Sequence, residues 1–317
     1  MTLSQNAAAV FADTSSRSEA DLDKMRAVAQ EVIGDNQQLI VGVNGSYARR
    51  EATSGSDVDL FVLYRKDAIA DAISAQEALR EQLQAAGFKM PADGGVFHTP
   101  LSVSVLSQTI GGMEDKNEFI TRRMLLLLEG EWLYNEIGFN EARKRLLTQY
   151  VGPNIRADQI CMFLLNDIIR YWRTICVDFE YKVQSDNKPR EIRLVKLRFS
   201  RMLLFFAGVM AVGATHGLER DAKIERLSEM LALPAYKRLT TLAGDMASPA
   251  LELYAEFLRA LDDPKVRKAL SQPSSIQTES DQYLQLRAQA QQFRDNLLTL
   301  LKEHFGTENP TVTALML

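Results

Sequence analysis

The most informative stretch of this chain is residues 44–60, which read Asn44-Gly45-Ser46-Tyr47-Ala48-Arg49-Arg50-Glu51-Ala52-Thr53-Ser54-Gly55-Ser56-Asp57-Val58-Asp59-Leu60. The apolar run 39–43 before it and the apolar run 58–64 at its end each predict a buried β-strand. Between the runs, Gly45 and Ser46 predict a tight turn into a short helix. The stretch therefore predicts a strand, a turn with a short helix, and a second strand that opens on acidic residues.

Asp57 and Asp59 are those acidic residues. Because side chains alternate across a strand, both carboxylates project from one face. Such a pair suits Mg²⁺ (or Mn²⁺) ions about 3.5–4 Å apart that would hold a nucleoside triphosphate. Gly45 and Ser46, with the backbone amides of their turn, would bind the phosphates. The spacing predicts metal-dependent nucleotidyl transfer with Asp57 and Asp59 as the catalytic metal ligands.

The order Gly-Ser, a ten-residue spacer and Asp-x-Asp at the start of an apolar strand resembles the polymerase-β-type nucleotidyltransferase superfamily. Within that superfamily, the sequence is most similar to the nucleotidyltransferase domain of the bacterial PII-protein uridylyltransferase and its uncharacterised relatives. Tyr47, Arg49 and Glu51 fall on the Tyr, Arg and Glu of that domain's motif. The resemblance implies transfer of a nucleoside monophosphate from a nucleoside triphosphate to a hydroxyl acceptor, with release of pyrophosphate.

The residues do not decide which group is the acceptor or which nucleoside triphosphate is the substrate. The likeness to the PII uridylyltransferase favours a protein side chain as acceptor, with an RNA 3′ end or a small molecule as the alternative, and nothing chooses between ATP, UTP, CTP and GTP. The three histidines, His98, His216 and His304, are scattered and form no phosphohydrolase pattern, so a role in PII regulation is not implied. A rival interpretation from another class is a catalytically silent module that binds nucleotide and regulates a partner.

A third carboxylate, which most superfamily members carry on a later strand, is harder to find. The candidate strand, 101–107, has serines where an acid is expected. Residues 115–130 resemble the helix that closes the uridylyltransferase domain, and Asp115 takes the place of the Asp on which that helix opens. We expect Asp115, or Asp93 in the preceding loop, to complete the catalytic set. A site with only two carboxylates and reduced or lost chemistry is the alternative.

Arg49 has two interpretations. It is a candidate nucleotide-binding residue that contacts phosphate or orders the turn, and it is equally a partner for an ion pair with Glu51 or Asp57 on a helix surface. The whole motif also has a plain interpretation, since Gly, Ser and Asp favour turns in any α/β protein. The flanking strands and the helix between them favour the nucleotidyltransferase interpretation.

Composition limits the classes of protein that fit. The chain has 317 residues, 46% hydrophobic and 25% charged, which is enough for two domains, and a net charge of −4 argues against nucleic-acid binding driven by global charge. Cys161 and Cys176 lack metal-ligand spacing, and no signal peptide is evident, so a cytoplasmic setting is expected. The longest apolar run, 202–214, spans about 20 Å as a helix and is too short for a bilayer core of roughly 30 Å. We expect no membrane contact.

The fold class predicted is α+β, with a small mixed-sheet nucleotidyltransferase domain followed by an all-α domain. The segment 1–18 is a flexible end or a first helix, the nucleotidyltransferase domain covers 19–137, the helical domain 138–305, and a tail follows at 306–317. From Glu118 onward every apolar pattern is helical.

The helix predicted at 160–182 carries polar residues on one face, among them Asp167, Arg170 and Arg173. We expect Arg170 and Arg173 to bind nucleotide from the far wall of a cleft, or, alternatively, to form ion pairs with neighbouring acids. A basic run at 182–201 either attracts a phosphate-bearing ligand or is a solvated surface.

Overall fold

The computed structural model describes residues 2–91, 97–108, 110–185, 189–272 and 279–315. Within them a four-stranded mixed sheet has the order β3-β2-β1-β4. Its strands are β1 (Leu39–Asn44), β2 (Asp59–Tyr64), β3 (Leu101–Ser102) and β4 (Glu131–Tyr134). β1 is antiparallel to both β2 and β4, whereas β2 and β3 are parallel. The strand and turn predicted from residues 39–64 are present.

Helices make up most of the rest of the described chain. The first six are α1 (Gln5–Ile33), α2 (Gly45–Ala48), α3 (Ile69–Ala85), α4 (Val103–Gln108), α5 (Asn117–Leu128) and α6 (Glu136–Tyr150). The later ones are α7 (Met162–Ser185), α8 (Arg190–Lys196), a π turn (Leu197–Arg201), α9 (Met202–Gly213), α10 (Arg220–Ala232), α11 (Ala235–Ala243), a 3₁₀ turn (Gly244–Ala247), α12 (Ser248–Asp262), α13 (Pro264–Leu270), α14 (Asp281–Phe305) and α15 (Pro310–Ala314). The predicted α+β class, a small sheet near the N-terminus followed by a helical region, is confirmed.

The chain divides into two compact units. The sheet unit comprises Asp13–Ile155 and Glu219–Pro234, and the helical unit comprises Met1–Ala12, Arg156–Leu218 and Ala235–Leu317. This division differs from the predicted boundary between 137 and 138, because α6 and α10 belong with the sheet. Arg143 on α6 shows why: its buried guanidinium donates to the carbonyl oxygens of Leu127 and Leu231. Burial lowers the pKa of Arg143 to about 10, although the charge of Glu131 opposes this effect.

Two expectations about secondary structure need correction. The strand expected at 101–107 ends at Ser102, and α4 follows, where the Ser107 hydroxyl donates to the Val103 carbonyl 3.1 Å away. The pattern after Glu118 is not wholly helical, since β4 pairs with β1 along the sheet edge. Large side chains in Glu131–Tyr134 favour this strand.

The N-terminal segment is helical from Gln5 onward, and is therefore not a loose end. The sequence lacks a clear period there, yet tertiary contacts within the helical unit stabilise the helix. The Phe11 ring stacks on the Tyr236 ring with centroids 4.5 Å apart, and the Ser4 hydroxyl donates to Glu252 Oε2 at 2.7 Å. At the other end, the tail predicted at 306–317 contains α15, with Val312 buried.

The apolar run 202–214 forms α9, whose residues are almost all buried, as expected for a core helix. No helix in the described part of the chain is long and apolar enough to cross a membrane.

The sheet is covered on both faces, which fixes the strands on either side of the Gly-Ser and Asp-x-Asp segments. Val41 and Val62 pack with Leu22 of α1 and Leu79 of α3 in one buried cluster. On the opposite face, the Phe61 ring lies 4.8 Å from the Phe97 ring and 6.3 Å from the Phe139 ring, measured between centroids. β1 and β2 are therefore rigid central strands.

Gly42 provides a test of this packing. A Cβ atom at this position would lie 2.3 Å from the Phe61 ring and 2.9 Å from the Glu131 backbone oxygen. We expect Gly42→Ala to lower the free energy of unfolding by about 1–3 kcal/mol, because neither the buried ring nor the paired backbone can move away freely. Urea unfolding followed by circular dichroism measures this change.

The matched control is Gly152→Ala, since a Cβ atom at Gly152 meets nothing within 4 Å. We expect a change within about 0.5 kcal/mol for it. Equal stability of the two variants would contradict the close packing of Phe61 against β1.

Candidate active site

The turn after β1 is the first part of the site. β1 ends at Asn44, and Gly45 follows with φ at +77°, a conformation that favours glycine. The short helix α2 follows, and beyond its end the Glu51 amide donates to the Ser46 carbonyl at 2.8 Å. The Ser46 side chain is half-buried at this turn. Backbone and hydroxyl groups are thus gathered where the sequence predicts phosphate binding.

Asp59 meets this turn directly. The antiparallel register places Asn44 opposite Asp59, and a Cβ atom on Gly45 would lie only 2.3 Å from Asp59 Oδ2. The carboxylate therefore lies against the α-carbon of Gly45, where any side chain would displace it. The two halves of the motif, separated by thirteen residues in sequence, form one site.

Asp57 lies beside the same turn. Its Oδ1 atom is buried and lies 2.8 Å from the ammonium nitrogen of Lys89. Burial, followed by the nearby charges of Asp21 and Asp57, raises the pKa of Tyr47 to about 12. Tyr47 belongs to α2, and the charge of Asp57 is the smallest of these three causes.

A buried oxygen adds to this group of acceptors. Asn44 is 3% exposed, and its Oδ1 atom is buried without a hydrogen-bond partner among the described residues. A buried polar atom without a partner costs free energy, and a bound cation or a donor on a ligand would satisfy it. Carboxylate and amide oxygens are the ligands that Mg²⁺ prefers, so Asp57, Asp59 and Asn44 fit that ion.

A third acid does not join the pair within the described ranges, where no group of three or more His, Cys, Asp or Glu residues is arranged to hold a metal ion. Asp93 lies outside the described residues. Asp115 lies within the described residues, and both of its carboxylate oxygens have partners. Each oxygen accepts from the Arg123 guanidinium at 2.8 Å, and Oδ2 also accepts from the Gly111 amide at 2.8 Å. The role of Asp115 as a third catalytic acid stays a prediction, while its contacts support a structural role.

Arg49 is buried between two carboxylates. Its Nε atom donates to Glu51 at 3.0 Å, and its Nη1 atom donates to Glu129, whose side chain is fully buried at the end of α5. This is an ion pair of the interior, not one on the helix surface, and it fixes the chain just after the Gly45-Ser46 turn. Direct contact of Arg49 with a nucleotide stays a prediction.

Arg170 and Arg173 belong to the helical unit, on α7. Arg170 Nη1 donates to the buried carboxylate of Asp167 at 2.8 Å, which is the ion pair expected at a spacing of three residues. The Arg173 side chain is exposed. Their part in nucleotide binding stays a prediction.

Sequence reasoning missed Lys89, Glu129 and Asn44. Asn44 was visible as the residue before the Gly-Ser turn, but an amide at a strand end is common. Lys89 and Glu129 lie 32 and 78 residues after Asp57 and Glu51, respectively. No local period or spacing connects such distant positions, so only the fold could bring them to the site.

Comparison with known proteins agrees with this geometry. Residues 25–89 match the family model described as a nucleotidyltransferase domain, of the polymerase-β type. The match includes Gly45, Ser46, Asp57 and Asp59, and it reaches Lys89. No curated protein matches the chain. This region is thus similar to nucleotidyltransferase domains, whereas a specific relationship with the PII uridylyltransferase stays a prediction.

The buried Arg49 cluster predicts a large effect on stability. Arg49→Met would remove a positive charge from between two buried carboxylates, and we expect the free energy of unfolding to fall by about 3–5 kcal/mol. Chemical denaturation measures it. The control is Arg65→Met, which removes an ion pair to the exposed Glu141 and should cost less than about 1 kcal/mol. Similar values for both variants would mean that Arg49 does not brace the turn.

Asp115→Asn separates the two roles of Asp115. Because Arg123 is fully buried, removing its partner's charge should cost about 3–5 kcal/mol of stability. We expect the variant that remains folded at low temperature to bind Mn²⁺ as the wild type does, measured by electron paramagnetic resonance. A variant of normal stability that has lost transfer would instead establish Asp115 as the third acid.

Proposed function

We propose that this protein is a metal-dependent nucleotidyltransferase, which moves a nucleoside monophosphate from a nucleoside triphosphate to a hydroxyl acceptor and releases pyrophosphate. The observation that carries the proposal is the contact of the Asp59 carboxylate with the α-carbon of Gly45. It joins the phosphate turn to the acidic pair within the region that matches a nucleotidyltransferase domain. A turn and a strand of unrelated purpose would not require this approach.

Asp57 and Asp59 would hold Mg²⁺ or Mn²⁺, and Asn44 offers a neutral oxygen beside them. When bound, the metal supplies positive charge that stabilises the oxygens of an in-line displacement. Asp59 opens β2, and an isolated bridge to Lys89 holds the backbone of Asp57, so both acids have fixed backbones before substrate arrives and little reorganisation is needed.

Gly45 and Ser46 would position the triphosphate. The turn presents backbone amides, and the half-buried hydroxyl of Ser46 is a further donor. The oxygen of the acceptor hydroxyl would then attack the α-phosphorus and lose its proton to water. The bond from that phosphorus to the bridging oxygen would break, and pyrophosphate would leave with the bonding electron pair. Placing the phosphates at the turn aligns the leaving group opposite the acceptor.

A protein side chain is the acceptor we propose, on the resemblance to the PII uridylyltransferase. An RNA 3′ end or a small molecule is the alternative. A silent nucleotide-binding module is the second candidate, and two observations favour it: the Lys89 ion pair on Asp57, and the two-carboxylate site among the described residues. The catalytic candidates would label different acceptors, and the silent module would label none. One experiment therefore separates them.

That experiment incubates the protein with each α-³²P-labelled nucleoside triphosphate, Mg²⁺ or Mn²⁺, and cell lysate. Label on a protein supports the proposed acceptor, and label on RNA or on a small molecule supports the alternatives. Bound nucleotide without any labelled product supports the silent module. Thin-layer chromatography of released pyrophosphate, with γ-labelled nucleotide, verifies the reaction type.

The double variant Asp57→Asn, Asp59→Asn tests the site. We expect transfer to fall by more than about a hundredfold, since two metal-binding charges are lost, while the melting temperature holds or rises because two neighbouring negative charges no longer repel. Wild-type activity in this variant would place the chemistry elsewhere. An unfolded variant would show that the pair is structural.

A further inference from the structure

Lys89 is held beside the acidic pair by its backbone. An isolated parallel bridge pairs Asp57 with Lys89, and the Val58 amide donates to the Lys89 carbonyl at 2.9 Å. Val58 lies between the two aspartates in sequence. The α-carbon of Lys89 is therefore fixed at the Asp-x-Asp segment, although the residue lies far along the chain.

The side chain of Lys89, unlike its backbone, is held only weakly. Its ammonium nitrogen lies 2.8 Å from Asp57 Oδ1, yet the side chain is 65% exposed and that of Asp57 is 41% exposed. An ion pair between side chains this exposed contributes little and is broken readily, because water reaches both side chains even though Asp57 Oδ1 itself is buried. The structure thus combines an anchored backbone with a cation that is free to change partners at low cost.

We infer that Lys89 is a phosphate-binding residue of the nucleotide site, which neutralises Asp57 in the absence of nucleotide and binds the triphosphate when a metal–nucleotide complex occupies the carboxylates. This inference rests on the proposed function. The ligand it selects is a nucleoside triphosphate with its divalent cation, and the group it contacts is a phosphate oxygen.

Lys89 and a divalent cation would compete for the Asp57 carboxylate. The ammonium and a free divalent cation both need Asp57, so the ammonium weakens the binding of metal alone. A metal–nucleotide complex brings phosphate oxygens with it, and the displaced ammonium gains charge-assisted hydrogen bonds to them. The lysine therefore opposes free metal and favours the complex, which couples the two ligands.

The test uses the full chain with Lys89→Met, which keeps an unbranched side chain one atom shorter and removes its charge. Free Mn²⁺ binding is measured by electron paramagnetic resonance, and binding of Mn²⁺ with an α,β-methylene nucleoside triphosphate is measured by calorimetry. We expect free Mn²⁺ to bind about two- to fivefold more tightly in the variant. We expect the nucleotide complex to bind about tenfold more weakly.

Two controls accompany it. Lys144→Met removes a lysine of similar exposure, 62%, whose nearest acid is Glu225, and should change neither affinity. Lys89→Arg keeps the charge and should restore both affinities toward the wild type. The melting temperature of each variant should match the wild type, since only side chains in solvent are changed.

Opposite shifts of the two affinities support the inference. Unchanged affinities, or shifts in the same direction, overturn it. If Asp57→Asn, Asp59→Asn loses Mn²⁺ binding while Lys89→Met behaves as the wild type, the proposed function stands and the role of Lys89 falls. A wild-type protein that binds neither Mn²⁺ nor nucleotide overturns both.

Discussion

The approach of Asp59 to Gly45 is the constraint on which the site depends. It exists because β1 and β2 pair in an antiparallel register that sets Asn44 opposite Asp59. A shift of this register by one residue would turn the carboxylate to the other face of the sheet. The buried layers on both faces prevent such a shift. The packing of the sheet interior therefore determines where the Asp59 carboxylate lies.

Around that contact the protein places charges in its interior. Arg49 lies between Glu51 and Glu129, Arg123 is paired with Asp115, and Arg143 has carbonyl oxygens as acceptors. Buried ion pairs seldom add net stability over apolar residues, but they are costly to break. They define one arrangement of the loops and helix ends near the Gly45-Ser46 turn.

Much of this was predictable because the signal is local. Residues 39–64 contain two apolar runs joined by a glycine turn, and the structure has a strand at each run, although β2 begins at Asp59 and leaves Asp57 outside it. β4 was not predictable, since four residues after a long apolar helix give too short a pattern to distinguish strand from helix. Segment 101–107 was predicted as a strand because Val and Ser alternate there. In the structure, the Ser107 hydroxyl donates to the Val103 carbonyl within a helical turn. The partners of Arg49 and Asp57 come from distant segments, and the choice between surface and interior ion pairs depends on burial that a sequence does not reveal.

The inclusion of α10 in the sheet unit has a consequence for the synthesis of this protein. The helix begins 65 residues after the first segment of that unit ends, yet it supplies a carbonyl oxygen to the buried Arg143. A nascent chain that has reached residue 155 has every strand and the whole phosphate turn, but the cation of α6 still lacks one acceptor. The sheet unit can therefore reach its final state only after the ribosome has added residue 234, and a fragment cut at 155 for expression would carry that defect permanently.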